Sequence, residues 1–190
     1  MKKLLIASTV FALTFMTIPS FAQSVKEAVV ALKKLEARCQ SGISYTDYGP
    51  AVGDAKVPVN LLLESEHAKR SPELTDSINR VMNHYEFAGK IWQLRFSPFF
   101  QGYGLIEVNS SLGQEIGTLY PKANAKNEKY FVEEIVPLVW EAASKELENT
   151  ATLYTKTEGD MPSEIEKLNK ENGKLKADTA QPEKQLETEK

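Results

Sequence analysis

Apolar side chains recur at spacings of three and four residues along most of this chain, and each run with that period predicts one helix. Val25, Ala28, Val29, Leu32, Leu35 and Cys39 make the first stripe, while Lys26, Lys33, Lys34 and Arg38 fall elsewhere on the same helix. Ser24 with Glu27 has the capping-box spacing and predicts the start of that helix, and Gly42 predicts its end. Ser44 and Asp47 then offer a second cap, followed by Tyr48, Val52, Ala55, Val59 and Leu62. Proline removes an intrahelical hydrogen bond, so Pro58 inside this second run predicts a bend. Ser71 and Pro72 occupy the preferred cap and first positions of a third helix, whose stripe is Leu74, Ile78, Val81, Tyr85, Ala88 and Trp92.

The period is lost between Ser97 and Ser111, where Pro98, Gly102 and Gly104 interrupt a hydrophobic connection with room for one extended segment. Ser111 with Gln114 predicts a short helix ending near Tyr120 and Pro121. A long last helix is expected from about Lys122 to Tyr154, with Phe131, Ile135, Leu138, Ala142 and Leu147 on one face and a bend at Pro137. No long period-two alternation occurs, so the expected class is all-α: a mostly antiparallel bundle of four principal helices with an aromatic-rich connecting segment and a charged C-terminal tail.

The two ends depart from this pattern. Residues 1–22 read as a secretory signal peptide, with Lys2 and Lys3, an apolar run from Leu4 to Ile18, and small residues at Ser20 and Ala22 before a cleavage site. The apolar run is too short for a membrane span, and no transmembrane segment is expected after cleavage, which would leave Gln23 first. Residues 23–155 form the bundle domain. Residues 156–190 carry seven lysines, nine acids and no aromatic residue, too little apolar surface to offset the entropy of ordering. That segment is expected to be a largely disordered or partly helical tail. Met161, Ile165, Leu168 and Leu175 nevertheless have heptad-like spacing, with Asn172 where a core residue would stand, and a docking or self-association helix is the alternative.

Charge and composition narrow the function. With 23 Lys and Arg against 26 Asp and Glu and no basic patch, nucleic acid is not an expected partner. A single cysteine excludes an intrachain disulfide and any Cys-x-x-Cys site, and Cys39 continues a buried stripe, as a small core residue does. Glu64-x-x-His67 has the spacing of a di-iron or di-manganese ligand pair but occurs once, because Val81 stands three residues before His84. A solvated helix end, with His67 complementing the helix dipole, is the better reading. Haem through His84 is weaker than a boundary histidine making one hydrogen bond. There is no Gly-x-Ser-x-Gly elbow and no phosphate-binding glycine loop, and Glu133, Glu134 and Glu141 read as a charged outer face. No catalytic residue, metal or cofactor is therefore assigned.

What rises above this background is aromatic density. Tyr85, Trp92, Phe96, Phe99, Phe100 and Tyr103, with Arg95 as a charged neighbour, are the candidate ligand- or partner-binding residues. Equally, they could close an open end of the bundle. Leu32-Lys-Lys-Leu35-Glu-Ala-Arg38 and Gly42-Ile-Ser-Tyr45-Thr-Asp-Tyr48 resemble segments of small exported bacterial helical proteins of uncharacterised function. The resemblance covers about 25 residues and implies an exported helical fold with no particular activity. The resulting expectation is an exported, non-enzymatic binding or interaction protein of the periplasm or cell exterior, engaging an unknown protein. The alternative is a helical bundle that accommodates a small apolar ligand or cofactor in the aromatic cluster.

Overall fold

The computed structural model describes residues 20–96, 104–159 and 163–187, with side chains from Val25 onward and as far as Ala177. Among these, 81% are helical, which leaves only two three-residue strands beside seven helices and fits the all-α class. In chain order they are α1 (Ser20–Gln40), α2 (Tyr45–Leu63), α3 (Glu66–Arg70), α4 (Pro72–Gln93), β1 (Leu105–Glu107), α5 (Ser111–Leu119), β2 (Lys129–Phe131), α6 (Val132–Glu158) and α7 (Ser163–Glu187). No helix of the described residues is long and apolar enough to cross a membrane.

The stripes read on α1 and α4 are buried faces, whereas on α6 the face turns toward Val132, Val136, Val139 and Ala143, with Leu138 and Ala142 only partly buried and Phe131 exposed in β2. Val25, Leu32 and Leu35 on α1, Val59 and Leu62 on α2, Leu74, Ile78 and Val81 on α4, and Ile135 and Leu147 on α6 enter one core. Each helix so removes a continuous apolar face from water, at roughly 25 cal/mol per Å². Between α4 and α6 the seam also holds polar groups: Ser77 Oγ donates to Glu146 Oε1 at 2.9 Å, and Arg80 Nη2 lies 2.7 Å from the same oxygen.

Several boundaries differ from expectation. Helix α1 already runs from Ser20, so Ser24 is not its cap. Helix α2 does begin after Ser44, whose Oγ accepts from Asp47 N–H, and it continues through Pro50 and Pro58. Ser110, not Ser111, caps α5 by accepting from Gly113 N–H at 3.0 Å. Helix α6 starts at Val132 rather than Lys122, because the preceding residues form a two-residue hairpin turn. There Asn127 and Glu128 have φ of 51° and 61°, and Lys126 and Lys129 exchange both backbone hydrogen bonds. The turn returns β2 antiparallel to β1, pairing Ile106 with Tyr130, both buried. Strands of three residues are too short for alternation to show in sequence.

Glycine is required at one contact in particular. A Cβ on Gly113 would lie 2.1 Å from the Glu107 carbonyl oxygen and 2.7 Å from that of Val108, so α5 meets the end of β1 backbone to backbone. Gly113→Ala should therefore lower stability by about 1–3 kcal/mol in urea denaturation, despite the higher helix propensity of alanine.

The larger difference lies at the C-terminus. Helix α7 occupies most of the segment expected to be a largely disordered or partly helical tail, and it packs along α1. Glu164 lies near Lys26, Asn172 meets Lys33, and Lys176 meets Glu36, so the two helices run in the same direction. Ile165 is fully buried and Asn172 is 3% exposed, which places the heptad-like face of α7 inward.

Candidate functional site

Helix α1 presents its apolar stripe to α2, α4 and α6, and α7 covers a second face. That second face carries charge. Lys33 and Glu36 are 3% and 1% exposed, one turn apart, with Lys33 Nζ 3.2 Å from Glu36 Oε2. Asn172 Nδ2 donates to the same oxygen at 2.6 Å and to the Lys33 carbonyl at 3.2 Å. Oε2 is thus well satisfied. Oε1 has no hydrogen bond of that quality: it is ion-paired with Lys176 Nζ at 3.4 Å, which sits closer to Glu148 at 2.9 Å.

This carboxylate opens onto a cavity of about 670 Å³ between α1, α6 and α7. The buried or partly buried Cys39, Gln40, Trp140 and Ser144 line it, together with the more exposed Pro137, Glu141, Lys145, Glu148 and Lys176. Both amide atoms of Gln40 are shielded from water and make no hydrogen bond. The Tyr85 hydroxyl, fully buried nearby, likewise makes none of ordinary geometry. An unmade hydrogen bond on a buried group costs about 1–3 kcal/mol, and the Gln40 amide carries that cost at the cavity wall.

Electrostatics define the chemistry available. Burial alone would raise the Glu36 pKa, but Lys33, the Ser144 hydroxyl and Lys176 outweigh it and hold the carboxyl below its ordinary value. Burial pushes the Cys39 thiol up to about 12, helped by the Glu36 charge. Burial also raises Tyr85 well above its usual value, reinforced by Glu36, Cys39 and Tyr48 and partly offset by the Ser144 hydroxyl. A thiol held protonated is a poor nucleophile, and a carboxylate held ionised is a poor proton donor near neutrality.

The depressed Glu36 pKa has a pH consequence. Its contribution to α7 docking is complete above the ordinary carboxylate range and is lost as pH falls through the lower, folded-state value. Hydrogen exchange of the α7 amides should therefore be slow at neutral pH, after correction for intrinsic rates, begin to quicken as pH falls into that range, and go on quickening until pH is below the folded-state value.

The sequence-predicted aromatics are placed differently. Tyr85 is fully buried, and its carbonyl accepts from Tyr48 Oη–H at 2.8 Å. Trp92 packs edge-on against Tyr45, Tyr48 and Trp140, with ring centroids 5.7, 5.4 and 5.4 Å away. Trp140 Nε1 donates to Tyr48 Oη at 3.1 Å, which links this cluster to the cavity wall. Phe96 is 57% exposed and leans on Tyr45, while Arg95 pairs with Glu133 at 3.0 Å on the surface. Phe99, Phe100 and Tyr103 lie outside the described residues. Helices α2, α4 and α6 therefore gather one aromatic knot in which Tyr45, Tyr48 and Trp140, not singled out in the sequence, are as central as Trp92.

The histidines are likewise resolved in place. His67 is 6% exposed, not solvated, and its Nε2 lies 3.1 Å from Glu158 Oε1 but out of line with the N–H. His84 is half-buried and shares a 2.7 Å hydrogen bond between Nδ1 and the Tyr120 hydroxyl. Glu133, Glu134 and Glu141 are exposed and paired with Arg95, Lys126 and Lys122. Among the described residues no three His, Cys, Asp or Glu side chains are grouped to hold a metal ion.

Another groove, of about 550 Å³, runs between α1 and α2 past the exposed Val57 and Leu61. Its basic rim is already engaged, Lys26 and Lys34 by Glu164 and Arg38 by Asp54. The α1, α6 and α7 cavity differs in holding buried polar atoms with unmet bonding capacity. Comparison with protein families, with curated proteins and with solved structures finds no match for this chain.

Proposed function

We propose that the protein is an exported, non-enzymatic binding protein of the periplasm or cell exterior, and that the cavity between α1, α6 and α7 is its ligand site. The leader-like residues 1–22 support export. In this reading α1, α2, α4 and α6 form an antiparallel four-helix bundle, and α7 completes the site from outside. The observation that carries the binding role is the unfilled hydrogen bonding of Gln40 at the wall of a sizeable cavity. The site then departs from the aromatic segment 85–103 and takes only its wall, Trp140, from the aromatic knot.

The test is native mass spectrometry of the mature protein purified under mild conditions from the exporting cell. A retained small molecule, lost in Gln40→Leu while helicity persists, is the expected result. A bare mass, with no change in melting temperature across a broad metabolite panel, would overturn the reading. A protein partner is the second reading, favoured by the exposed Val57 and Leu61 beside the α1 and α2 groove. It predicts that Leu61→Asp, not Gln40→Leu, abolishes capture.

A further inference from the structure

The helices of this fold are held unequally. Helix α4 buries Leu74, Ile78, Val81, Met82 and Ile91 among other side chains, whereas between Ser163 and Ala177 helix α7 buries only Ile165 and Asn172. Leu168 is partly buried against the core, and much of the rest of the seam is polar. Glu164 pairs with Lys26 at 3.3 Å, Asn172 donates to Glu36 and to the Lys33 carbonyl, and Lys176 is ion-paired both to Glu36 on α1 and to Glu148 on α6. Elements with few buried apolar contacts are the ones that open first. Release of α7 strands no charge, because Lys33 and Glu36 both lie on α1 and return to water as a pair. Helix α6 ends at Gly159, whose φ of 89° and ψ of −153° are open to glycine and strained for other residues, so the joint before α7 falls on a residue of wide backbone freedom.

Resting on the ligand site proposed above, we propose that α7 is the lid of the cavity between α1, α6 and α7, hinged at Gly159 and latched by Asn172 and Lys176. Lys176 lines that cavity beside Glu36 and Glu148, so its two ion pairs tie α7 to both other helices at the cavity itself. In the open state α7 leaves α1 and α6, while α1, α2, α4 and α6 keep the apolar core they share. Ligand enters the open state, and the contacts it gains on closure decide how far it shifts the population back.

Cys39 is the sole cysteine of the chain, lines the cavity and is 6% exposed, so its alkylation reports opening. The full mature protein is treated with N-ethylmaleimide at urea concentrations below the unfolding transition, with closing faster than labelling, and hydrogen exchange of the helices is followed beside it. Cys39 and the α7 amides should share one opening whose dependence on urea is less than about half that of global unfolding, while α4 and α6 amides exchange only by global unfolding. Ile165→Ala should speed both readouts by about thirtyfold or more, and Lys176→Ala by several-fold. Gly113→Ala, at the α5 contact with β1, should leave both unchanged under native conditions although it lowers global stability. If Cys39 labels with the full urea dependence of global unfolding, or Gly113→Ala speeds it in proportion to the stability lost, α7 is a fixed part of the fold and the lid is overturned. Labelling of Cys39 while the α7 amides stay protected overturns it as well, by showing that the cavity is reached past a closed α7. Neither result touches the ligand site, which falls only to the bare native mass described above.

Discussion

Glu36→Ala is expected to destabilise the protein by about 3–5 kcal/mol, because it leaves Lys33, 3% exposed, without its partner. The loss would come mostly from the uncompensated ammonium rather than from the carboxylate contacts. Two charges taken out of water gain little net energy from each other, but removing one strands the other in a medium that solvates it poorly. Replacing both residues, Lys33→Met with Glu36→Leu, should therefore recover most of the stability. Urea denaturation of the wild type, the two single variants and the double variant gives the coupling directly. If Glu36→Ala costs less than 1 kcal/mol, α7 is not closing this face in solution. The double variant should also keep α7 docked, since Ile165 remains buried.

The second large effect is expected at Tyr48. Its ring is 2% exposed, packs on Trp92, Trp140 and the Cα of Gly89, and its hydroxyl both accepts from Trp140 and donates to the Tyr85 carbonyl. Tyr48→Ala removes a large buried side chain and two buried hydrogen bonds, a loss of about 3–5 kcal/mol. Phe96→Ala, at an exposed ring, should change stability by within about 0.5 kcal/mol. Both tryptophans of the chain lie in this knot, so intrinsic fluorescence reports its integrity in each variant. Equal losses at Tyr48 and Phe96 would show that the exposed ring is as structural as the buried one. The contrast matters because these aromatics look alike in sequence and do different work.

That difference shows how far the sequence could be read. Tyr85 and Trp92 are legible as core because they continue a stripe with helical period. Tyr45 and Trp140 lie on other helices, and only the packing of α2, α4 and α6 brings them against Trp92. The extended segments were nearly invisible, since three residues carry no period, and the turn that ends the expected early start of α6 depends on two residues with positive φ. His67 could be placed at a helix end, but its burial against Glu158 requires the far end of α6.

The amino-acid sequence alone determined the helical class, most of the buried stripes and the place of Cys39 among them, because burying one face of a helix imposes a local spacing on apolar residues. For α7 it offered Ile165, Leu168 and an odd Asn172 only as an alternative to a largely disordered or partly helical tail. What only the tertiary structure decided is the fate of the charged face of α1. Lys33 falls off the apolar stripe, and an isolated helix would keep it and Glu36 in water, where neither incurs a desolvation cost. Asn172, more than 130 residues away in the chain, donates to the Lys33 carbonyl and to Glu36 Oε2, and Lys176 adds charge beside Glu36. Burial of a polar face depends on a distant partner that satisfies it, and such a partner leaves no periodic trace in the segment it covers.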